Sequence, residues 1–228
     1  MVEFNSAWKF ISADWSKTFK FVLLSVLLLI IPVVGPLAFV GLMIKVLSSV
    51  IDKEDDIPPV FEDFGTNIVD GLKLAVFWLL LSIPATIVIV LIAGSSVATL
   101  LTLSMSADQT SMMTAGIGLM MSLIPAAIII GVIYAVITPG LICNYAKDKK
   151  FSAFFNIGKA FNLVAKNIGG FVMMLVINFV YSLILGFASS LLAVTGIGAI
   201  VSICIAPLSL LINSKIMGDW YAENANKK

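Results

Sequence analysis

The chain has 228 residues, of which 60% are hydrophobic and 12% charged, and its net charge is +1. Soluble domains carry about 25% charged residues, so this composition predicts an integral membrane protein, and the near-neutral charge disfavours binding to nucleic acid. The chain also lacks His and Arg, which removes the commonest general base and metal ligand and the usual bidentate phosphate clamp.

The charged residues are concentrated in four blocks, separated by long stretches without Lys, Asp or Glu. Asp108 is the one charge outside these blocks. A crossing helix needs about 20 apolar residues to span about 30 Å of hydrocarbon. The last three uncharged stretches therefore predict three or four crossings, and the first predicts one crossing or a compressed pair. The blocks are residues 3–20, 45–73, 147–166 and 215–228, and the stretches are 21–44, 74–107, 109–146 and 167–214.

The first block contains large apolar residues at helical spacing. Phe4, Trp8, Ile11, Trp15 and Phe19 follow one another at intervals of 4, 3, 4 and 4 residues. This period predicts an amphipathic helix, and its aromatic face is typical of a helix that lies in the membrane interface.

The first uncharged stretch is interrupted by the sequence "IIPVVGPLAFVGLMIK", which contains Pro32, Gly35 and Pro36. Proline lacks a backbone donor and disfavours helix in the residue before it, while glycine permits left-handed conformations. We therefore predict a turn at Gly35 and Pro36, with 20–34 and 36–50 running antiparallel. One straight crossing is the alternative, and whether the hairpin fully crosses the bilayer stays open.

A charged loop and a second amphipathic segment follow. Carboxylates at Asp52, Glu54, Asp55 and Asp56 could bind a divalent cation, but they lack the alternating ligands and central glycine of a calcium loop. A solvated loop is therefore the favoured interpretation. The amphipathic segment is predicted from apolar residues spaced 3, 4 and 4 apart. These residues are Phe61, Phe64, Ile68 and Leu72.

The second uncharged stretch leads into a polar insert, residues 95–117, which is rich in Ser and Thr and contains no Lys. We expect the insert to leave the hydrocarbon as a loop or surface helix, with a ligand lid as the alternative. Pro84 and Pro125 lie within the flanking spans, where each predicts a kink and could line a cavity.

The third charged block combines lysines with aromatic residues. Lys147, Lys149 and Lys150 could meet anionic lipid headgroups, or could act only as topology signals. An amphipathic segment with spacing 3, 4, 3 and 4 comprises Phe154, Ile157, Phe161, Val164 and Ile168. In the last uncharged stretch, polar residues favour contacts between helices over pore lining. They are Asn178, Tyr181, Ser182, Ser189 and Ser190.

Three stretches resemble one another: "GPLAFVGLMIKV", "TPGLICNYAKDKK" and "APLSLLINSKIMGDW". In each, a proline precedes a lysine by 8 or 9 residues: Pro36 with Lys45, Pro139 with Lys147, and Pro207 with Lys215. We therefore predict one all-α polytopic membrane domain, 1–228, with repeat-like units 1–56, 57–150 and 151–228. It has six membrane helices in three hairpins, the first short or re-entrant, and an amphipathic interfacial helix precedes each hairpin.

The distribution of lysines favours this arrangement. Three hairpins place all 14 lysines on one side of the membrane, whereas a single first span would split them 11 to 3. Under the positive-inside rule, the hairpins predict a multi-pass protein of the cell membrane with both termini in the cytoplasm.

The sequence also resembles a known prokaryotic family. The residues that carry the resemblance are Trp15, Lys17, Pro32, Gly35, Pro36, Gly41, Pro59, Asp63, Phe64, Gly71 and Lys73. The family is uncharacterised and is catalogued as a domain of unknown function, number four thousand and thirteen. The resemblance implies an integral membrane protein without an established activity, so it supplies no catalytic residue. More distantly, the hairpin pattern is similar to the membrane domains of some glycerophosphodiester phosphodiesterases, which favours a role with lipids.

We predict no catalytic, cofactor-binding or metal-binding residue and no cofactor. Cys143 and Cys204 lie in apolar surroundings and are interpreted as small buried hydrophobes. The predicted spans lack the ionisable residue that ion-coupled carriers usually place there, so neither an enzyme nor such a carrier is expected. The favoured function is organising or handling membrane lipid, and the alternative is an oligomeric channel or facilitator for a small solute. The expected partners are membrane lipids, with no nucleic acid and a possible homo-oligomer.

Overall fold

A computed structural model describes residues 3–54, 56–104, 109–193 and 198–225. These residues form helices and no strands, which confirms the predicted all-α class. The α-helices are α1 (Phe4–Ser12), α2 (Trp15–Leu29), α3 (Val34–Ile51), α4 (Phe64–Ser104), α5 (Gln109–Asp148), α6 (Ile157–Lys166), α7 (Ile168–Ala193) and α8 (Gly198–Ala225), and a 3-10 helix spans Phe151–Phe155.

Within the described ranges, four helical segments are long and apolar enough to cross a membrane. They are Val34–Ile51, Phe64–Gly94, Met113–Asp148 and Ile168–Leu191. Their length and composition are those of a multi-pass membrane protein. The finer arrangement of six spans in three hairpins, and the threefold repeat, stay predictions.

The chain divides into two compact units. The first comprises Met1–Ala75 and Thr138–Lys228, and its core contains large side chains from several helices. Leu42, Leu47, Met174 and Trp220 are at most 1% exposed there. Buried apolar surface of this kind holds the helices of the first unit together.

The second unit, Val76–Ile137, contains parts of α4 and α5. Tyr134 donates a hydrogen bond to the Leu81 carbonyl, which joins the two helices. Most of the large apolar side chains described in this unit are exposed, which is the surface expected of helices that face lipid. Examples are Leu79, Val90, Leu91, Ile128, Ile129 and Val132.

Helices α2 and α3 form an antiparallel pair. At one end, a β-carbon added to Gly35 would lie 2.0 Å from the Leu28 carbonyl oxygen, so the two backbones are in close contact. At the other end, Lys17 near the start of α2 pairs with Asp56, which follows α3. The predicted reversal of the chain near Pro32 and Gly35 is therefore present.

The predicted conformation of the turn is wrong in detail. Gly35 lies inside α3, and the residue with positive φ is Val33, at φ 63° and ψ −56°. The Val34 N–H donates to the Pro32 carbonyl at 2.7 Å, which makes this a γ-turn of the rare positive-φ form. Gly35 is needed instead because α2 and α3 approach too closely there for a side chain.

The γ-turn predicts that Val33→Gly stabilises the protein. A side chain at this φ costs about 1–3 kcal/mol, and the added backbone entropy of glycine offsets about 0.5–1 kcal/mol of that gain. We expect a net increase of about 1 kcal/mol, measured as resistance to unfolding in mixed micelles of rising sodium dodecyl sulfate content. Val34→Gly is the control, because it places glycine inside a helix and should destabilise. Equal losses in both variants would contradict the prediction.

The first and third amphipathic segments each contain a separate helix that is shorter than predicted. In the first, α1 ends at Ser12, so Trp15 and Phe19 belong to α2. In the third, Phe154 lies in the 3-10 helix and Ile168 begins α7.

Helix α1 buries Phe10 and Ile11 and exposes Trp8, while α6 buries Leu163 and exposes Phe161. Because hydrophobic residues on one face pack on the core, the opposite aromatic residues are left for the membrane interface.

The second segment differs from the prediction. Phe61 lies in the loop, and Phe64, Ile68 and Leu72 belong to the first turns of α4, so no separate helix precedes this span. The polar insert 95–117 is also mostly a continuation of α4 and α5, apart from 105–108, which lie outside the described residues. The described part of the insert is therefore helical and is not a separate loop.

Glycines allow α3 and α4 to pack at backbone distance within the first unit. A β-carbon on Gly41 would lie 1.7 Å from the Asn67 carbonyl oxygen, and one on Gly71 would lie 1.8 Å from the Leu37 carbonyl oxygen. Small residues at helix interfaces are a common device of membrane proteins, because they replace side-chain packing by close backbone contact.

Candidate functional site

The four charged blocks contact one another in the first unit. Each contact joins two different blocks, and together the contacts connect all four in a closed ring, so the blocks lie at one end of this unit. The contacts are Lys17 Nζ to Asp56 at 2.8 Å, Lys149 Nζ to Asp70 at 3.0 Å, Lys147 Nζ to the Tyr221 ring centroid at 5.8 Å, and Lys215 Nζ to the Phe10 ring centroid at 5.5 Å.

One of these contacts involves Asp70 of α4, whose side chain is 5% exposed. Tyr145 of α5 donates its hydroxyl to Asp70 Oδ1, and Lys149 donates to Oδ2 at 3.0 Å. Tyr145 also stacks on Phe154, with 4.1 Å between ring centroids. Lys149 follows the end of α5 at a positive φ of 53°, and its side chain reaches the same carboxylate as that of Tyr145.

A polar cavity of about 260 Å³ lies beside Asp70. Its lining contains lysines and carboxylates that are paired with one another: Lys149 with Asp70, and Lys45 with Asp63 at 3.4 Å. These charges therefore stabilise the packing of the loop 52–63 and of α5 on α4. The lining comprises Lys45, Ser48, Ser49, Asp52, Glu54, Pro58, Asp63, Thr66, Asn67, Asp70 and Lys149.

A second cavity, of about 290 Å³, lies between α2 and the segment Asp56 to Val60, and we call it the lysine groove. Its apolar members Phe21, Ile57 and Val60 are at most 8% exposed and form the floor. Lys17, Lys20 and Asp56 are exposed and form the rim. The other lining residues are Leu24, Pro58 and Pro59. The two prolines restrict the backbone and hold this wall extended.

Asp56 is fixed at the rim by several hydrogen bonds. Both of its carboxylate oxygens accept from Lys17 Nζ at 2.8 Å, and Oδ1 also accepts from the Ile57 N–H at 2.9 Å. Its backbone carbonyl accepts from Ser49 Oγ at 3.1 Å. The bond from Lys17 lowers the pKa of Asp56, so this carboxylate stays ionised at neutral pH.

Helix α2 also exposes two aromatic residues, on the face opposite the one that lines the lysine groove. Trp15 and Phe19 are 57% and 68% exposed, and Trp15 contacts Trp8 edge to face with 5.8 Å between ring centroids. Tryptophan and phenylalanine exposed on a helix that also carries lysine are typical of a helix at the level of lipid headgroups.

Residues 23–194 match the model of a family described as a protein of unknown function, DUF4013. The chain belongs to this family. The matched region begins within α2 and ends just after α7, so the floor residues Ile57 and Val60 lie inside it while Lys17 and Lys20 precede it. No curated protein and no solved structure matches the chain.

In this DUF4013 chain the described carboxylates of the acidic cluster, predicted as a possible cation site, are divided between the two cavities. Asp52 and Glu54 line the polar cavity and Asp56 turns to Lys17, while Asp55 lies outside the described residues. Among the residues that the structure describes, no three His, Cys, Asp or Glu side chains are grouped as metal ligands. The acidic cluster is therefore not a single site.

The lysines and aromatics of the third block have different environments. Lys147 lies over the Tyr221 ring, Lys150 is exposed, and Phe151 and Phe155 are partly exposed. Phe154, in contrast, is fully buried against Tyr145, so it cannot contribute to an interfacial face. Its aromatic neighbours stay candidates for contact with headgroups.

The polar residues of α7 and the two cysteines show no shared site. Ser190 donates to the Gly186 carbonyl of its own helix at 2.9 Å, and Tyr181 is 9% exposed. Cys143 is buried and Cys204 is partly exposed, and no disulfide joins them. The kinks predicted at Pro84 and Pro125, and the channel function, stay predictions.

The cluster around Asp70 was not predicted from the sequence. The sequence nevertheless contains a pattern that points to it, because Asn67, Asp70 and Leu74 are spaced to share one helical face. In the structure this face is buried, and each of the three residues is at most 4% exposed. A carboxylate on the buried face of a helix needs a partner, and that requirement could have indicated the cluster.

Proposed function

We propose that this protein is a non-catalytic, multi-pass protein of the cell membrane that binds anionic phospholipid in the lysine groove. The observation that carries the proposal is the combination of a buried apolar floor and a cationic rim on one helix that also exposes Trp15 and Phe19. A phospholipid has the same division into an apolar chain and a charged headgroup.

Each lysine and each buried methylene is expected to contribute only a small free energy of binding, and these contributions add. A lysine near an anionic membrane surface contributes about 1 kcal/mol, and each buried methylene of an acyl chain contributes about 0.8 kcal/mol. Lys20 is exposed and has no acidic partner within the described ranges, so its ammonium is available to a phosphate. The floor residues Phe21, Ile57 and Val60 would contact the first methylenes.

The orientation that fits this role places the ring of charged blocks on the cytoplasmic side, together with residues 3–20 and 215–225. The contacts between all four blocks support a common side, and the positive-inside rule supports the cytoplasm. The absence of His and Arg from the sequence, and the pairing of Lys45 and Lys149 with carboxylates, support a role without catalysis.

The proposal predicts that the double variant Lys17→Gln and Lys20→Gln binds anionic lipid more weakly. Loss of about 1 kcal/mol per lysine corresponds to roughly 5–30-fold weaker binding in total. The measurement is energy transfer from tryptophan to dansyl-labelled phosphatidylglycerol, titrated into the purified protein in a neutral detergent. Lys53→Gln is the matched control, because Lys53 is exposed and does not line the groove. Equal affinity of the double variant and the control would contradict the proposal.

A further inference from the structure

The rim of the lysine groove contains a carboxylate that a simple anion site would not need. Lys17 and Lys20 carry two positive charges, and Asp56 returns one negative charge to the same rim, so the net charge is +1. Asp56 contacts Lys17 directly, because both carboxylate oxygens lie 2.8 Å from the Lys17 Nζ.

The position of Asp56 does not depend on Lys17 alone. The Ile57 N–H donates to the Asp56 carboxylate at 2.9 Å, and the Ser49 hydroxyl of α3 donates to the Asp56 backbone carbonyl at 3.1 Å. Asp56 would therefore keep its place when a lipid phosphate approaches Lys17. The side chains of Lys17 and Asp56 are both at least half exposed, and exposed ion pairs are weak. The Lys17 ammonium can therefore also contact a lipid phosphate, while Asp56 still neutralises its charge.

We propose that Asp56 is the residue that sets the headgroup selectivity of the lysine groove, which binds a phosphodiester with a single negative charge and gains no affinity from additional phosphates on the headgroup. This inference rests on the proposed lipid-binding function. One uncompensated ammonium, that of Lys20, matches one phosphodiester. A further phosphate would lie near the Asp56 carboxylate, and like charges at such short range repel.

The test compares two lipids that differ only by a phosphate. Phosphatidylinositol has one phosphodiester, and phosphatidylinositol 4-phosphate adds a monoester to the same headgroup. The full chain is purified in neutral detergent, and the dissociation constants of both lipids are measured at one ionic strength by their displacement of dansyl-labelled phosphatidylglycerol, read as loss of energy transfer from tryptophan. We expect the wild type to bind the two lipids within about threefold of each other. Asp56→Asn should bind phosphatidylinositol 4-phosphate about tenfold tighter than the wild type and change phosphatidylinositol by less than threefold.

Two control variants make the test specific. Asp56→Glu keeps the charge and should keep the wild-type ratio of affinities. Asp52→Asn removes a carboxylate from the same loop outside the groove and should also keep that ratio. Asparagine can still accept from the Ile57 N–H, so the fold of the loop is preserved, and an unchanged unfolding temperature verifies this.

The possible failures are distinguishable. If the wild type binds neither lipid, the proposed function itself is wrong. If the wild type binds phosphatidylinositol through Lys17 and Lys20 but Asp56→Asn leaves the ratio of affinities unchanged, or raises both affinities equally, the selectivity role of Asp56 is wrong while the lipid site stands.

Discussion

Replacing Gly41 or Gly71 with alanine is expected to be among the most destabilising small substitutions in the chain. A single added β-carbon would lie 1.7 Å or 1.8 Å from a backbone carbonyl oxygen of the facing helix, less than any non-bonded contact allows. Because the obstacle is backbone and not the end of a flexible side chain, α3 and α4 must separate. Overpacking of this kind costs about 1–3 kcal/mol, and leucine at the same position should prevent correct packing altogether.

The measurement is the midpoint of unfolding in mixed micelles of rising sodium dodecyl sulfate content, followed by tryptophan fluorescence. Gly65→Ala in α4 and Gly158→Ala in α6 are the matched controls, since an added β-carbon meets nothing within 4 Å at either site. Alanine is the better helix former, so the controls should be unchanged or up to about 1 kcal/mol more stable. If Gly41→Ala behaves like Gly65→Ala, the close crossing of α3 and α4 is wrong.

The fold class and the location of the first chain reversal could be predicted from the sequence because both depend on local patterns. Long apolar stretches and the Pro32 to Pro36 motif are visible without knowledge of tertiary contacts. The choice of Val33 as the positive-φ residue was not predictable in this way. It depends on the close approach of Gly35 to Leu28. Glycine is required at position 35 for this helix packing, so the positive φ falls on Val33 instead.

The candidate site depends on contacts between distant residues, so only its parts could be predicted. The amphipathic period indicates that one face of α2 meets the membrane interface, but it does not identify Asp56, 39 residues away, as the partner of Lys17. The same limit explains Phe154. Its spacing fits an interfacial face, but it is buried by stacking on Tyr145. Hydrophobic periodicity indicates which residues share a helical face, and it does not indicate which other part of the chain covers that face.

Replacing Asp70 with alanine is expected to destabilise the first unit by about 2–4 kcal/mol. The Tyr145 hydroxyl is fully buried and would lose its acceptor, and an unsatisfied buried group costs about 1–3 kcal/mol. Lys149 and Lys73 would also lose the carboxylate that compensates their charge. The loss of this charge compensation costs less than it would for a fully buried ion pair, because the Lys149 side chain is 43% exposed and can be hydrated instead.

Variants of the two partners separate the hydrogen bond from the charge. Asp70→Asn keeps an acceptor for Tyr145 and removes the charge, so it should cost less than Asp70→Ala. Tyr145→Phe keeps the stacking on Phe154 and should cost about 1–2 kcal/mol. Because the two residues share one hydrogen bond, the double variant Asp70→Ala and Tyr145→Phe should be less destabilised than the sum by about 1 kcal/mol.

Asp148→Asn is the control for this set, because Asp148 pairs with Lys159 at an exposed position and such pairs contribute at most about 1 kcal/mol. All variants are compared by the same micellar unfolding midpoint, for which the fully buried Trp220 is one of the fluorescent reporters. Additive losses from Asp70→Ala and Tyr145→Phe would show that these side chains do not act as one unit. A loss from Asp70→Ala no larger than that from Asp148→Asn would show that Asp70 is not the buried centre that joins α4 to α5.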